Sequence, residues 1–257
     1  MYLNVIIFQK VRHSLNQIVI LESEIKDQEV FISNNDNRYQ HLIKVLKLKP
    51  KDQLKACILN QGHIDLKTIS ISNQSIHFKY DEIIKTPNLN LKLIIGLSRP
   101  PSIKKILEHA TCMGVNSFIV TNTKLSEKSF LESKVFKESS VDQLLNLGLS
   151  QSVKYYQKPS FQLINKFNNL DKKLNQKNKI NRFILCPSSK NWLKPKMIDF
   201  TQDITVAIGS ERGFTKQEEQ YFQKLNFVPI KISDSILRVE IATYSILAQL
   251  ELLRNQS

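Results

Sequence analysis

Apolar residues recur along this chain in two different rhythms. Up to about residue 86 they come as short, often alternating runs. Residues 3–8 and 17–21 are two of these, and residues 53–59, 63–70 and 75–80 are three more, broken by Asn60-Gln61-Gly62 and Ser72-Asn73 turns. Between them Asp36 is a good N-cap for a helix whose apolar positions, 39, 42, 43 and 46, share one face. The pattern predicts a small barrel-like β domain with one helix, ending at a Thr86-Pro87-Asn88 linker.

Beyond the linker, strand and helix patterns alternate. Residues 91–97, 116–120, 182–186, 204–208 and 228–232 read as strands. Ser102 is the expected cap of a helix with Ile103, Ile106, Leu107 and Ala110 on one face, closed by Gly114. Further helices are expected at 138–149, 215–225 and about 238–253, with a solvated loop over the Lys/Asn-rich stretch 166–181. Such alternation implies an α/β domain with a mainly parallel sheet covered on both faces.

Composition narrows the class. With 41% apolar and 23% charged residues, the 257-residue chain can bury a core, which argues against disorder. No apolar run approaches the roughly 18 residues of a spanning helix, and residues 1–8 lack the basic leader of a signal peptide. Cys57, Cys112 and Cys186 lie too far apart for a zinc knuckle or disulfide framework, so reduced thiols in a cytoplasmic protein are expected.

The net charge of +14 points to a polyanionic partner, nucleic acid being the commonest. A general lysine bias is the alternative, since 30 of the 37 basic residues are Lys. The distribution argues against it. Residues 154–196 carry 11 basic side chains against Asp171 alone, and residues 38–55 carry six against Asp52, whereas residues 197–257 hold six basic and eight acidic ones. Two basic segments beside a near-neutral one suggest a phosphate-binding surface and a separate site.

Neither a dinucleotide fingerprint nor a Walker A sequence is present, and the five histidines lack metal-ligand spacing. Chemistry concentrates instead in residues 204–215, an apolar strand emptying into Gly209-Ser210-Glu211-Arg212-Gly213. Thr215 and Glu218 then form a capping box. Glycines around a charged pair allow backbone to approach a ligand, and parallel sheets bind ligands outside the carboxyl ends of their strands. A plain βα turn remains the alternative. A second strand-turn-helix, residues 229–243, sets Leu237, Arg238 and Glu240 at a helix start.

Together these segments resemble the RsmE-type 16S rRNA uracil-N3 methyltransferases of the SPOUT superfamily. Gly209, Glu211, Gly213 and Phe214 match that family's I-G-P-E-G-G-F, and Leu237, Arg238, Glu240 and Ala242 match its L-R-x-E-T-A. Residues 38–48 are similar to its H-H-L-x-R-V-L-R-L segment, followed by Pro50 and Asp52 at its G-D turn, with Lys51 replacing the glycine. Residues 106–115 resemble its T-E-L-G-V helix end, and Leu185-Cys186-Pro187 its donor-pocket loop. The departures are Ser210 for proline, Arg212 for the middle glycine, Cys112-Met113 for Glu-Leu and Ile241 for threonine. Residues 125–130 resemble a divergent branch of the family.

The resemblance implies a PUA-like, RNA-binding β-barrel domain over residues 1–86 and a SPOUT α/β methyltransferase domain with a C-terminal trefoil knot over residues 87–257. It implies S-adenosylmethionine held by Leu185, Pro187, Ile208, Gly209, Glu211, Gly213, Ile232, Ile236 and Leu237, with no metal and no membrane. Arg238, Glu240 and Glu211 become the candidate catalytic residues, while Arg38, Lys44, Lys47 and Lys51 become candidate contacts to rRNA or the small ribosomal subunit. It also implies a homodimer, with which the apolar final helix is compatible. Two alternatives stay open: methylation of another RNA nucleotide, and a non-catalytic knotted RNA-binding protein in which Arg212 fills the pocket.

Overall fold

The computed structural model describes residues 16–86, 90–174 and 181–256, so the expected strand at residues 3–8 and part of the linker lie outside the described residues. The chain divides into two compact units, Met1–Thr86 and Pro87–Ser257.

In the first unit, strands β1 (Ile18–Ile20), β2 (Ile25–Lys26), β3 (Glu29–Ser33), β4 (Gln53–Ile58), β5 (Gly62–Ile71) and β6 (Ser75–Lys79) form one sheet in the order β1-β4-β5-β6-β3-β2. Only β1 and β4 run parallel. Alternation sets the faces. Along β5, Ile64 and Leu66 are buried while Asp65 and Lys67 are exposed, as a sheet with one wet face requires. The buried face gathers Ile20, Val30, Ile32, Ile58, Ile76 and Phe78, and Leu42 joins them from the helical segment. That segment begins as expected, with Asp36 accepting a hydrogen bond from the Arg38 N–H at 2.8 Å. It is shorter than the apolar spacing suggests: α1 (Asn37–Gln40) widens into a π-helical turn over His41–Val45. Tyr39 and Leu42 still point inward.

The second unit holds a six-stranded, wholly parallel sheet of β7 (Leu91–Gly96), β8 (Ser117–Thr121), β9 (Ser160–Ile164), β10 (Arg182–Leu185), β11 (Ile204–Ile208) and β12 (Val228–Ile230). The order is β12-β10-β11-β7-β8-β9, so β11 inserts between β10 and β7. Alternate residues of these strands go to opposite faces. Leu93, Ile95, Phe118, Val206 and Ile208 pack under α2 (Pro100–Cys112), α3 (Glu138–Gln151) and α5 (Val239–Arg254). Ile94, Ile119, Ile184 and Ala207 pack on the other side, against Phe222 of α4 (Lys216–Lys224) and Phe227.

One expectation needs correction here, and one element was not foreseen. Helix α2 begins at Pro100 with Arg99 as its N-cap, not at Ser102, because prolines at the first two helical positions give up only N–H groups that have no intrahelical partner. The edge strand β9 is an element that the apolar pattern did not reveal. Among the described residues, no helix is long and apolar enough to cross a membrane.

Candidate active site

Three loops leave the carboxyl ends of the adjacent strands β10, β11 and β12 and enclose a cavity of about 400 Å3. That lies within the roughly 300–1,000 Å3 typical of small-molecule sites. Leu185 and Pro187 come from the first loop, Ile208, Gly209, Glu211 and Gly213 from the second, and Ile232, Ile236 and Leu237 from the third. The sheet thus brings together all nine positions expected to hold the donor. A second cavity of about 270 Å3 opens at the opposite, amino ends of the strands, remote from these loops.

The turn after β11 is built on its two glycines, each for its own reason. Gly213 adopts φ +75°, with open space where a Cβ would stand. Gly209 is needed for close approach: a Cβ there would lie 2.7 Å from the Gly213 Cα and 2.8 Å from its carbonyl carbon. The turn is closed by a 2.8 Å bond from the Gly213 N–H to the Ser210 carbonyl. Ser210, in place of the expected proline, is buried and keeps this geometry. Arg212 is exposed and lines the cavity without filling it.

Side chains beyond the loops hold them still. The Glu211 carboxylate accepts a 2.8 Å bond from the Arg99 N–H and so ties the turn to the start of α2. Buried Glu218 completes the expected capping box with Thr215, and its other oxygen accepts from the Lys124 N–H at 2.7 Å. Gln249 of α5 donates to the Ile232 carbonyl at 3.0 Å. Glu218 was visible as a capping residue, but nothing in the sequence signals its reach to Lys124 or the reach of Gln249 to Ile232.

The expected catalytic trio lines the cavity only in part. Glu211 lines the cavity, whereas Arg238 and Glu240 do not. Arg238 is the N-cap of α5, with an exposed side chain. Glu240 is 8% exposed one turn from Tyr244, whose hydroxyl is pushed up to about 12 by burial and then by the charges of Glu240 and Glu108. In the first unit, Lys44, Lys47 and Lys51 are exposed. Arg38 is not presented in the same way: it is half-buried, ion-paired with Glu24 and Asp36, and donates to the Val19 carbonyl at 2.8 Å. Burial lowers its pKa, but the two carboxylates outweigh that and raise it.

Strands emptying into a loop-built cavity define a ligand-binding α/β protein. The comparisons are more specific. A family profile described as RNA methyltransferase domain matches residues 85–251. A Borreliella burgdorferi protein named ribosomal RNA small subunit methyltransferase E 1 is 34% identical over 235 residues, covering 89% of this chain and 94% of that one. The Treponema pallidum protein named ribosomal RNA small subunit methyltransferase E is 26% identical over 89% of this chain and 87% of its own. The crystal structure of the Neisseria gonorrhoeae methyltransferase E bound to S-adenosyl methionine superposes with a TM-score of 0.73, 18% identity and coverage of 92% and 98%. The chain belongs to the RNA methyltransferase family, within its ribosomal RNA small subunit methyltransferase E group.

Proposed function

We propose that this chain is an S-adenosylmethionine-dependent methyltransferase acting on N3 of a uridine in small-subunit rRNA. The observation that carries this reading is the cavity over β10, β11 and β12, which gathers the nine expected donor positions from three loops. Its walls fit the donor: glycines and apolar side chains such as Leu185, Ile208, Ile232 and Leu237 suit an adenine read by main-chain N–H and C=O. The charged Glu211, Arg212, Glu219 and Lys231 also line it. When bound, S-adenosylmethionine supplies a methyl group already activated by its sulfonium charge.

The chain's own residues supply alignment and charge. Uracil N3 is a poor nucleophile until its proton leaves. Arg238, exposed beside the cavity wall formed by Leu237 and Val239, stabilises the anion developing on the base oxygens. Glu211 acts by holding the donor turn against α2. Glu240 remains a candidate for orienting Arg238 from the first turn of α5, although it is buried and its charge bears on Tyr244.

In this reading residues 1–86 form a PUA-like barrel in which Lys44, Lys47 and Lys51 engage phosphates, while Arg38 stiffens the helix start. Residues 87–257 form a SPOUT domain with a trefoil knot, dimeric and cytoplasmic. The insertion of β11 between β10 and β7 supports the knotted arrangement. The non-catalytic alternative required Arg212 to fill the pocket, and the open cavity gives it no support. Calorimetry with S-adenosylmethionine, followed by methyl transfer to small-subunit rRNA and mass mapping of the product, tests the proposal. An absence of donor binding, or a methyl group mapped away from uridine N3, refutes it.

A further inference from the structure

We infer that Trp192 is a stacking platform for an unpaired base of the substrate RNA at the rim of the donor cavity, an inference that rests on the RNA methyltransferase reading. Trp192 is the single tryptophan of the chain, and it stands 41% exposed. Its backbone is fixed. The Lys231 N–H donates to the Asn191 carbonyl at 2.7 Å and the Leu193 N–H to the Lys231 carbonyl at 3.3 Å, so residues 191–193 lie as a parallel bridge along the segment after β12. Leu193, Met197, Ile198 and Phe200 anchor the same stretch to the core, which leaves the indole as the large apolar group facing outward.

The surroundings select the occupant. Lys190, Lys194 and Lys196 are exposed and make no ion pair among the described residues, and residues 187–198 contain no acidic side chain. Lys231 lines the cavity and also sits over the indole, with its ammonium 5.1 Å from the ring centroid and 2.7 Å from Asp234. A pinned aromatic face amid lysines is the chemistry that holds single-stranded nucleic acid, through phosphate attraction and base stacking. An apolar protein partner would have no use for three flanking cations. The ring lies against Lys231, whose side chain lines the cavity, so a base stacked on it would flank the acceptor base.

The lone tryptophan makes the ring its own reporter. The full-length protein is titrated with a uridine-rich single-stranded RNA of about twelve nucleotides, within the range of such sites, while tryptophan emission is followed. Saturable quenching is expected. In anisotropy titrations with labelled RNA, Trp192→Ala should weaken binding about tenfold. Trp192→Phe should stay within about threefold because it keeps a π-face, and Trp192→Leu should bind as weakly as Trp192→Ala. Donor affinity by calorimetry should be the same in all three variants. RNA binding without a change in emission, no RNA binding by the wild-type protein, or full rescue by Trp192→Leu overturns the inference. Failure of the wild-type protein to bind S-adenosylmethionine strikes instead at the methyltransferase reading, which the quenching experiment leaves separate.

Discussion

Gly209 and Gly213 lie four positions apart in one turn and should fail differently when replaced. Gly209→Ala forces a methyl group into the Gly213 backbone. It should cost about 1–3 kcal/mol and most donor affinity, measured by thermal unfolding and calorimetry. Gly213→Ala meets no atoms but strains the φ of +75°, a cost of about 1–3 kcal/mol carried by the backbone alone. Arg238 invites the opposite test, since its side chain does not line the cavity. Arg238→Ala should leave donor affinity within a few-fold while cutting turnover about a hundredfold. Arg238→Lys should recover little, because a point charge lacks the planar fork that holds two oxygens. Proportional loss of donor binding and turnover would make Arg238 a pocket-wall residue. Lys51 stands where the resembled family has glycine, and its φ is +73°. Lys51→Gly should therefore raise stability by up to about 1 kcal/mol while weakening RNA binding.

At the scale of elements, what was legible depended on whether a local signal existed. Strand β11 and the capped start of α4 were readable because an unbroken apolar run and a capping box announce them. The β2–β3 hairpin was not. Its turn, Asp27-Gln28, has φ values of 51° and 61°, and a glutamine occupies the place where such turns usually carry the glycine that would betray them. The loops that enclose the cavity were legible through their motifs, whereas the ties from Glu211 to Arg99 and from Gln249 to Ile232 join residues that only tertiary structure brings together. The helix start at Asp36 can be tested directly. The Arg38 side chain lowers the Asp36 pKa most, against a smaller opposing effect of burial. The folded value lies below the unfolded one, so the stabilisation is complete above the unfolded value and is lost as pH falls through the folded one. Asp36→Ala should cost about 1 kcal/mol near neutrality and progressively less in acid, as followed by urea unfolding. Neutralising Lys44, Lys47 and Lys51 together should flatten the dependence of log K on log salt by roughly two to three units if all three meet phosphates.

Across the whole molecule, α5 is an element with apolar surface to spare. Ile246, Leu247 and Leu250 are buried, yet Ile241 and Leu252 on the same helix remain 45% and 57% exposed. Light scattering should give about twice the 29.8 kDa of one chain, and Ile241→Asp with Leu252→Asp should return it to one. A monomeric wild-type protein would refute the dimer. The strand order has a consequence for biosynthesis. As the chain emerges from the ribosome, β7 and β8 can pair early, but the other flank of β7 is completed by residues 204–208, made more than a hundred residues later. Until then a nascent polypeptide presents the bare edge of an apolar parallel strand, the kind of surface that recruits stray strands. Two of the three loops around the cavity, those after β11 and β12, are translated only after that interval, so the cavity can close only once this exposed edge has been covered.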